Sequence, residues 1–238
     1  MRRFRKFLKK KIKKLLNNHR YSSESYIRYL KDKGMRIGSG TRLFSPETII
    51  IDSSRAWLVE IGNNVQITAD VTILTHGFDW SVIKGVSGEV LGSSGKVKIG
   101  NNVFIGTDTL ILKGVTIGDN VIIGAGSIVT KDIPDNCVAV GSPARPIMSI
   151  SDYYEKRKAC QYEEASELVR EYRLVYGKEP GAKELSEFFW LFTNDGENLD
   201  ESWKRQMKQA GNETYSYEIL SKHKPMFNSM EEFLDSIK

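Results

Sequence analysis

The amino-acid sequence predicts a mainly β fold, a β-helix of short stacked strands with α-helical segments at both ends. Three observations predict it. A six-residue period runs through the middle of the chain, an apolar stripe at helical spacing among basic residues occupies the first twenty residues, and helical spacing replaces the six-residue pattern after residue 150.

The period is explicit from Ile99 onward, where the chain reads IGNNVF, IGTDTL, ILKGVT, IGDNVI, IGAGSI and VTKDIP. An aliphatic residue leads each block (Ile99, Ile105, Ile111, Ile117, Ile123, Val129), and Val103, Thr109, Val115, Val121, Ser127 and Ile133 follow four places on. An earlier tract, IGNNVQ, ITADVT and ILTH, keeps the rule, and a weaker one from Ile37 blurs through residues 49–60. Six residues fit neither the 3.6-residue helical period nor the two-residue alternation of long hairpin strands. They fit a chain that makes a short strand, turns and repeats. Each leader points inward, and Gly-Asn or Gly-Asp pairs allow the corners. One coil buries too little apolar surface to be stable, so many must stack.

The repeat breaks between Ile73 and Ile99, whose separation of 26 residues is not a multiple of six. A loop therefore leaves the coil at about Thr75 and returns near Lys96, an insertion over 75–96. His76 sits at its root, in ILTHGFDWS. Long loops on rigid scaffolds often carry function. His19 and His223 have no comparable context.

Residues 1–34 are expected to be a basic, helical segment. Phe4, Phe7, Leu8, Ile12, Leu15 and Leu16 form one stripe, with Lys and Arg on the other faces. This composition suits a helix lying on an anionic membrane surface through residues 1–16. After the β-helix of 35–150, residues 151–238 are expected to be an α-helical extension. Tyr154, Ala165, Leu168, Val169, Tyr172, Val175 and Tyr176 carry helical spacing, and shorter helices are expected over 184–192, around Trp203 and over 230–237. The aromatic run ELSEFFWLF is expected to be buried.

The chain has 238 residues and a net charge of +5. Residues 1–23 carry +10, residues 24–150 are neutral and residues 151–238 carry −5. The basic character therefore belongs to the N-terminus, and the body is not a nucleic-acid surface. Two cysteines, Cys137 and Cys160, make no disulfide framework and point to a reducing, cytoplasmic compartment, with membrane contact at its inner face. No run approaches the roughly 20 apolar residues of a membrane span. No His/Cys/carboxylate cluster has metal-ligand spacing, so no metal is expected. GSSGKV is not a phosphate loop, because Val90 stands where its first Gly is required and Val97 where it needs Ser or Thr.

The consecutive blocks, and above all the ending ILKGVTIGDNVIIGAGSIVTKDIPDNCVAVGSPARPI, resemble the hexapeptide-repeat acyltransferases over roughly residues 35–150. The ending is similar to that of sugar O-acetyltransferases of the galactoside and maltose type. GFDWSVIKGVSGEVLGSSGKVKIGNNVFIG resembles a branch associated with surface-polysaccharide biosynthesis. The resemblance implies a left-handed parallel β-helix, a homotrimer with sites at subunit interfaces, acetyl-CoA as donor co-substrate, and a sugar or glycan acceptor. By the same resemblance His76 is the catalytic base, which takes the proton of an attacking hydroxyl and returns it to the departing CoA thiolate. Thr107 and Ala125 supply donors around the thioester. Phe104, Gly106, Lys131 and Arg145 border CoA, with Phe104 standing where many relatives have Trp. That exchange keeps the aromatic face and loses the indole N–H. Asp79 either orients the imidazole, binds the acceptor or caps the loop; Trp80 either stacks on the sugar or pins the loop. Two other readings stay open: N-acetylation of an amino sugar or acetylation of an antibiotic hydroxyl, and a non-catalytic trimeric scaffold held at a membrane.

Overall fold

Each six-residue block folds as one short strand and one corner. In the computed structural model, which describes residues 18–237, three blocks complete one coil. The first coil carries β1 (Arg36–Ile37), β2 (Arg42–Leu43) and β3 (Ile50–Ile51), and the second carries β4 (Val59–Ile61), β5 (Gln66–Ile67) and β6 (Thr72–Ile73). The inserted loop follows, with β7 (His76–Gly77), a short helix α2 (Trp80–Ser87) and β8 (Ser93–Ser94). The third coil is β9 (Val97–Ile99), β10 (Val103–Ile105) and β11 (Leu110–Ile111). The fourth is β12 (Thr116–Ile117), β13 (Val121–Ile123) and β14 (Ile128–Val129).

Stacking gives three parallel faces. Face A is β1-β4-β9-β12, face B runs from β2 through β5, β10 and β13, and face C is β3-β6-β11-β14. The registers place Ile37 on Ile61, Ile61 on Ile99 and Ile99 on Ile117, so the block leaders form ladders. This is the left-handed parallel β-helix. The leaders from Ile99 to Val129 are at most 1% exposed, and the residues four places on are likewise buried. Each such Ile or Val contributes about 1.5–3 kcal/mol by leaving water.

The corners differ from the simplest sequence reading. In IGNNV and IGDNV the left-handed backbone falls not on Gly but on the last Asn: Asn64, Asn102 and Asn120 have φ of 54°, 55° and 56°. The Gly is required by the stack. A Cβ on Gly62 would lie 2.4 Å from the Gly100 carbonyl oxygen, and one on Gly100 would lie 2.6 Å from that of Gly118. Asn and Asp tolerate the left-handed region, while only Gly allows two corners to approach this closely.

Both ends of the coil are closed. Helix α1 (Ser23–Asp32), capped by the Ser22 hydroxyl accepting from the Ser25 N–H at 3.2 Å, buries Tyr26 and Leu30 among Met35, Ile37 and Leu43. At the other end β15 (Cys137–Gly141) joins face B and pairs antiparallel with β16 (Ala144–Ser149). The basic amphipathic helix expected over residues 1–16 lies outside the described residues.

The chain divides into two units, Met1–Ser151 and Asp152–Lys238. The second is helical. Helix α3 (Ile150–Tyr176) ends where Gly177 takes φ of 61° and donates its N–H to the Arg173 carbonyl at 2.8 Å. A 3₁₀ turn (Phe189–Leu191), α4 (Glu201–Met207), α5 (Glu213–Lys222) and α6 (Met230–Asp235) follow. The aromatic run is buried as expected at Leu185, Phe189, Leu191 and Phe192, packed with Leu199, Met207, Leu220 and Phe233. Helix α5 is not among the helices expected from spacing: its exposed face mixes Tyr215 and Ile219 with polar residues, which erases the stripe.

Candidate active site

The loop leaves and returns through one neck. The Thr75 carbonyl accepts from the Gly95 N–H at 2.9 Å, and β7 pairs antiparallel with β8, His76 opposite Ser94. Gly95 passes so close to the next corner that a Cβ there would lie 2.6 Å from the Gly114 nitrogen. His76 therefore stands on the coil rather than out on the arm of the insertion, at the corner where face C turns into face A.

Its imidazole is held by a carboxylate that sequence reading missed. Asp52 follows β3 one coil earlier, and its Oδ2 lies 2.6 Å from His76 Nδ1. The Asp52 side chain is 8% exposed and that of His76 35%. Five hydrogen bonds converge on Asp52. The Thr75 hydroxyl, the Thr75 N–H (3.3 Å) and His76 reach Oδ2, while the Ser54 hydroxyl (2.7 Å) and N–H (3.0 Å) reach Oδ1. Burial by itself raises a carboxyl pKa, but the bonds from Thr75, Ser54 and His76 outweigh it and hold Asp52 well below the usual carboxylate range. An ionised carboxylate only accepts, so Nδ1 carries a hydrogen, and whenever the ring is neutral the lone pair is on Nε2.

Asp79 does not orient the imidazole. It precedes α2, makes no capping hydrogen bond, and its Oδ1 folds over Gly77, 2.2 Å from where a Cβ on that glycine would be. The orienting carboxylate comes from Asp52 because the stacked coil brings residues 24 apart onto one corner. In sequence its only mark is a carboxylate after three isoleucines, in the stretch where the six-residue rule blurs. Lys113, also unforeseen, follows β11 at the same corner, with its Cε 3.7 Å from that Gly77 position. Trp80 is half-buried, its ring 4.7 Å from that of Phe78. The arm beyond it exposes Phe78, Val82, Val86, Val90 and Leu91.

Four of the other expected residues form a second group, and Lys131 and Arg145 lie apart from it. Thr107 follows β10 and Ala125 follows β13, at the corner where face B turns into face C. A Cβ on the buried Gly106 would lie 2.5 Å from the Ala125 nitrogen, and the Gly126 N–H donates to the Thr107 carbonyl at 2.7 Å. Phe104 lies on face B between Gln66 and Ile122, 40% exposed. Arg145 pairs with Val140 at the closed end, exposed, with its guanidinium donating to the Ala144 carbonyl at 2.7 Å. Lys131 is exposed after β14, at the C-to-A corner shared with His76 but two coils further on. One chain thus brings Thr107, Ala125, Gly106 and Phe104 together, and brings His76, Asp52 and Lys113 together, at opposite edges of face C.

Known proteins resemble part of this chain. A family model described as bacterial transferase hexapeptide (six repeats) matches residues 96–131. Protein CapG of Staphylococcus aureus is 44% identical over 149 residues, 63% of this chain and 83% of CapG. The chain belongs to the hexapeptide-repeat transferase family. Galactoside O-acetyltransferase of Escherichia coli is 49% identical over 104 residues, 42% of this chain and half of that protein. Among solved structures, a maltose O-acetyltransferase from Clostridium difficile matches with 34% identity and a TM-score of 0.38, over 53% of this chain and 75% of that one. Each of these three matches leaves more than a third of the chain without a counterpart.

Proposed function

We propose that the protein transfers acetyl from acetyl-CoA to a sugar hydroxyl, in the assembly of a surface polysaccharide. The observation that carries this reading is the His76–Asp52 pair, which leaves Nε2 as an exposed base on the coil of a transferase family whose relatives include sugar O-acetyltransferases.

Nε2 takes the hydroxyl proton as the oxygen attacks the thioester carbon. The oxyanion is met by backbone N–H groups near Thr107 and Ala125. The carbon–sulfur bond then breaks, and the imidazolium returns its proton to the CoA thiolate, giving CoA and the ester. Asp52 holds the ring and is the counter-charge for the imidazolium. The residues present suit the donor: Phe104 offers an exposed ring, and Lys131 and Arg145 offer exposed cations for its phosphates. Asp79 and Trp80, at the loop's root, face the acceptor.

The separation of the two groups on one chain supports a homotrimer. A base at one edge of face C and donors at the other form a complete site only when edges of neighbouring subunits meet. The exposed apolar arm of residues 78–91 suits the same interface. Cytoplasmic placement, with residues 1–16 against an anionic membrane, suits a lipid-linked acceptor. Among the described residues no helix is long and apolar enough to cross a membrane.

The test is thiol release from acetyl-CoA with a panel of hydroxyl and amino sugars. An alkali-labile product is expected. An alkali-stable amide from the best acceptor, or undiminished transfer by His76→Ala, overturns the reading.

A further inference from the structure

The helical unit carries a cleft of about 260 Å³, lined by Glu187, Phe189, Trp190, Gln206, Met207, Gln209 and Ser216. We infer that it binds one neutral sugar residue of a glycan. The inference stands on the helical unit alone and does not depend on the transfer chemistry of the β-helix.

The floor is rigid and apolar. Phe189 is 2% exposed and stacks on Trp203 at 5.5 Å and 8°, and Met207 is 4% exposed. Trp190 is half-buried and braced from behind: His223 packs against its ring at 5.2 Å, and His223 Nε2 lies 2.7 Å from the Trp190 carbonyl oxygen. Among the described residues its indole N–H has no hydrogen-bond partner, yet no side-chain nitrogen or oxygen is both buried and unsatisfied, so this N–H is open to solvent.

The polar wall is held in place without being used up. Gln209 donates through Nε2 to Gln206 Oε1 at 2.9 Å, and Gln206 Nε2 lies 3.4 Å from the Ser186 hydroxyl. That leaves Gln209 Oε1, further amide hydrogens, the Ser216 hydroxyl and the Glu187 carboxylate available. A ring with an apolar face and several hydroxyls, each both donor and acceptor, matches this set.

Other ligand classes fit poorly. Among the described residues no basic side chain lines the cleft, which disfavours phosphates, nucleotides and acidic sugars. A single carboxylate is too few for a hard cation. The volume lies below the roughly 300–1,000 Å³ of sites for drug-sized molecules. An apolar peptide would leave the glutamine pair unsatisfied.

The experiment is saturation-transfer NMR on the full chain with the methyl glycosides of glucose, galactose, N-acetylglucosamine and N-acetylmannosamine, and glucuronate as the anionic control. At least one neutral glycoside is expected to receive saturation, and to bind about tenfold more weakly to Trp190→Ala and Gln209→Ala. Gln209 is half-exposed on a surface turn, so its variant keeps the test valid if Trp190→Ala does not fold. Acetyl transfer to a free monosaccharide should be unchanged in Gln209→Ala. Saturation of no neutral glycoside, preference for glucuronate, or equal binding by wild type and Gln209→Ala overturns the proposal.

Discussion

At the scale of the residue, chemistry and positioning separate cleanly. On the proposed mechanism His76→Ala removes the base while leaving the buried Thr75–Asp52 bond in place, so the expected result is a loss of kcat of about 10²–10⁴-fold with the circular-dichroism spectrum unchanged. Asp52→Asn keeps the size of the side chain but removes the anion that fixes the Nδ1–H tautomer. The expected result is a fall in kcat with little change in KM and an altered pH–rate profile, because a neutral amide in place of the carboxylate no longer stabilises the imidazolium. The same substitution has a stability signature. The folded-state pKa of Asp52 is depressed, so its contribution is present above the unfolded carboxyl value of about 4 and is lost as pH falls through and below it. Urea denaturation should find wild type more stable than Asp52→Asn at pH 7 and the gap narrowing below about pH 4. A constant gap across that range would mean that the carboxylate's charge is not what stabilises it.

At the scale of the element, the tight joint is the stack of corners. Gly106 has no left-handed φ to explain it, yet a Cβ there would lie 2.5 Å from the Ala125 nitrogen and 2.8 Å from its Cα. Both are backbone atoms with no rotamer to give way. Gly106→Ala should therefore cost about 1–3 kcal/mol or more in urea denaturation, by forcing neighbouring coils apart, and should weaken acetyl-CoA binding. Gly85, in α2, has nothing within 4 Å of its Cβ position and serves as the control: alanine there should be neutral or slightly stabilising.

At the scale of the whole molecule, the two groups at opposite edges of face C make a prediction about mixing. If the proposed roles hold, His76→Ala and Ala125→Trp should each be inactive as pure assemblies, since one lacks the base and the other blocks the donor corner. Unfolded together and refolded, they should regain part of the wild-type rate, because the proposed trimer, when mixed, pairs an intact His76 edge with an intact Ala125 edge. No recovery from a mixture shown by light scattering to be trimeric would mean that each site is built within a single chain. A second prediction concerns the helical unit, which has its own apolar core of Ala165, Val169, Leu185, Phe189, Phe192, Leu220 and Phe233. Removing residues 152–238 should leave a coil with its thermal transition and acetyl-CoA binding retained.

The sequence by itself determined the coil. A six-residue period calls for a stacked coil without fixing its hand, because an inward aliphatic residue every sixth position is satisfied by stacking, and the leaders from Ile99 to Val129 are buried as that rule demands. It also marked the loop's neck and His76, because an insertion shows directly as a break in a period. Only the tertiary structure decided what surrounds them. Asp52 and His76 are 24 residues apart and meet because two coils stack in a particular register, and a period fixes which residues point inward without fixing which corner side chains touch. Nor could it place Thr107 and Ala125 at the edge opposite His76, or show that Gly62 and Gly100 serve close approach while Asn64 and Asn102 make the turn. Sequence patterns record burial, which repeats along the chain. Contacts between side chains depend on the stack, which exists only once the chain has folded.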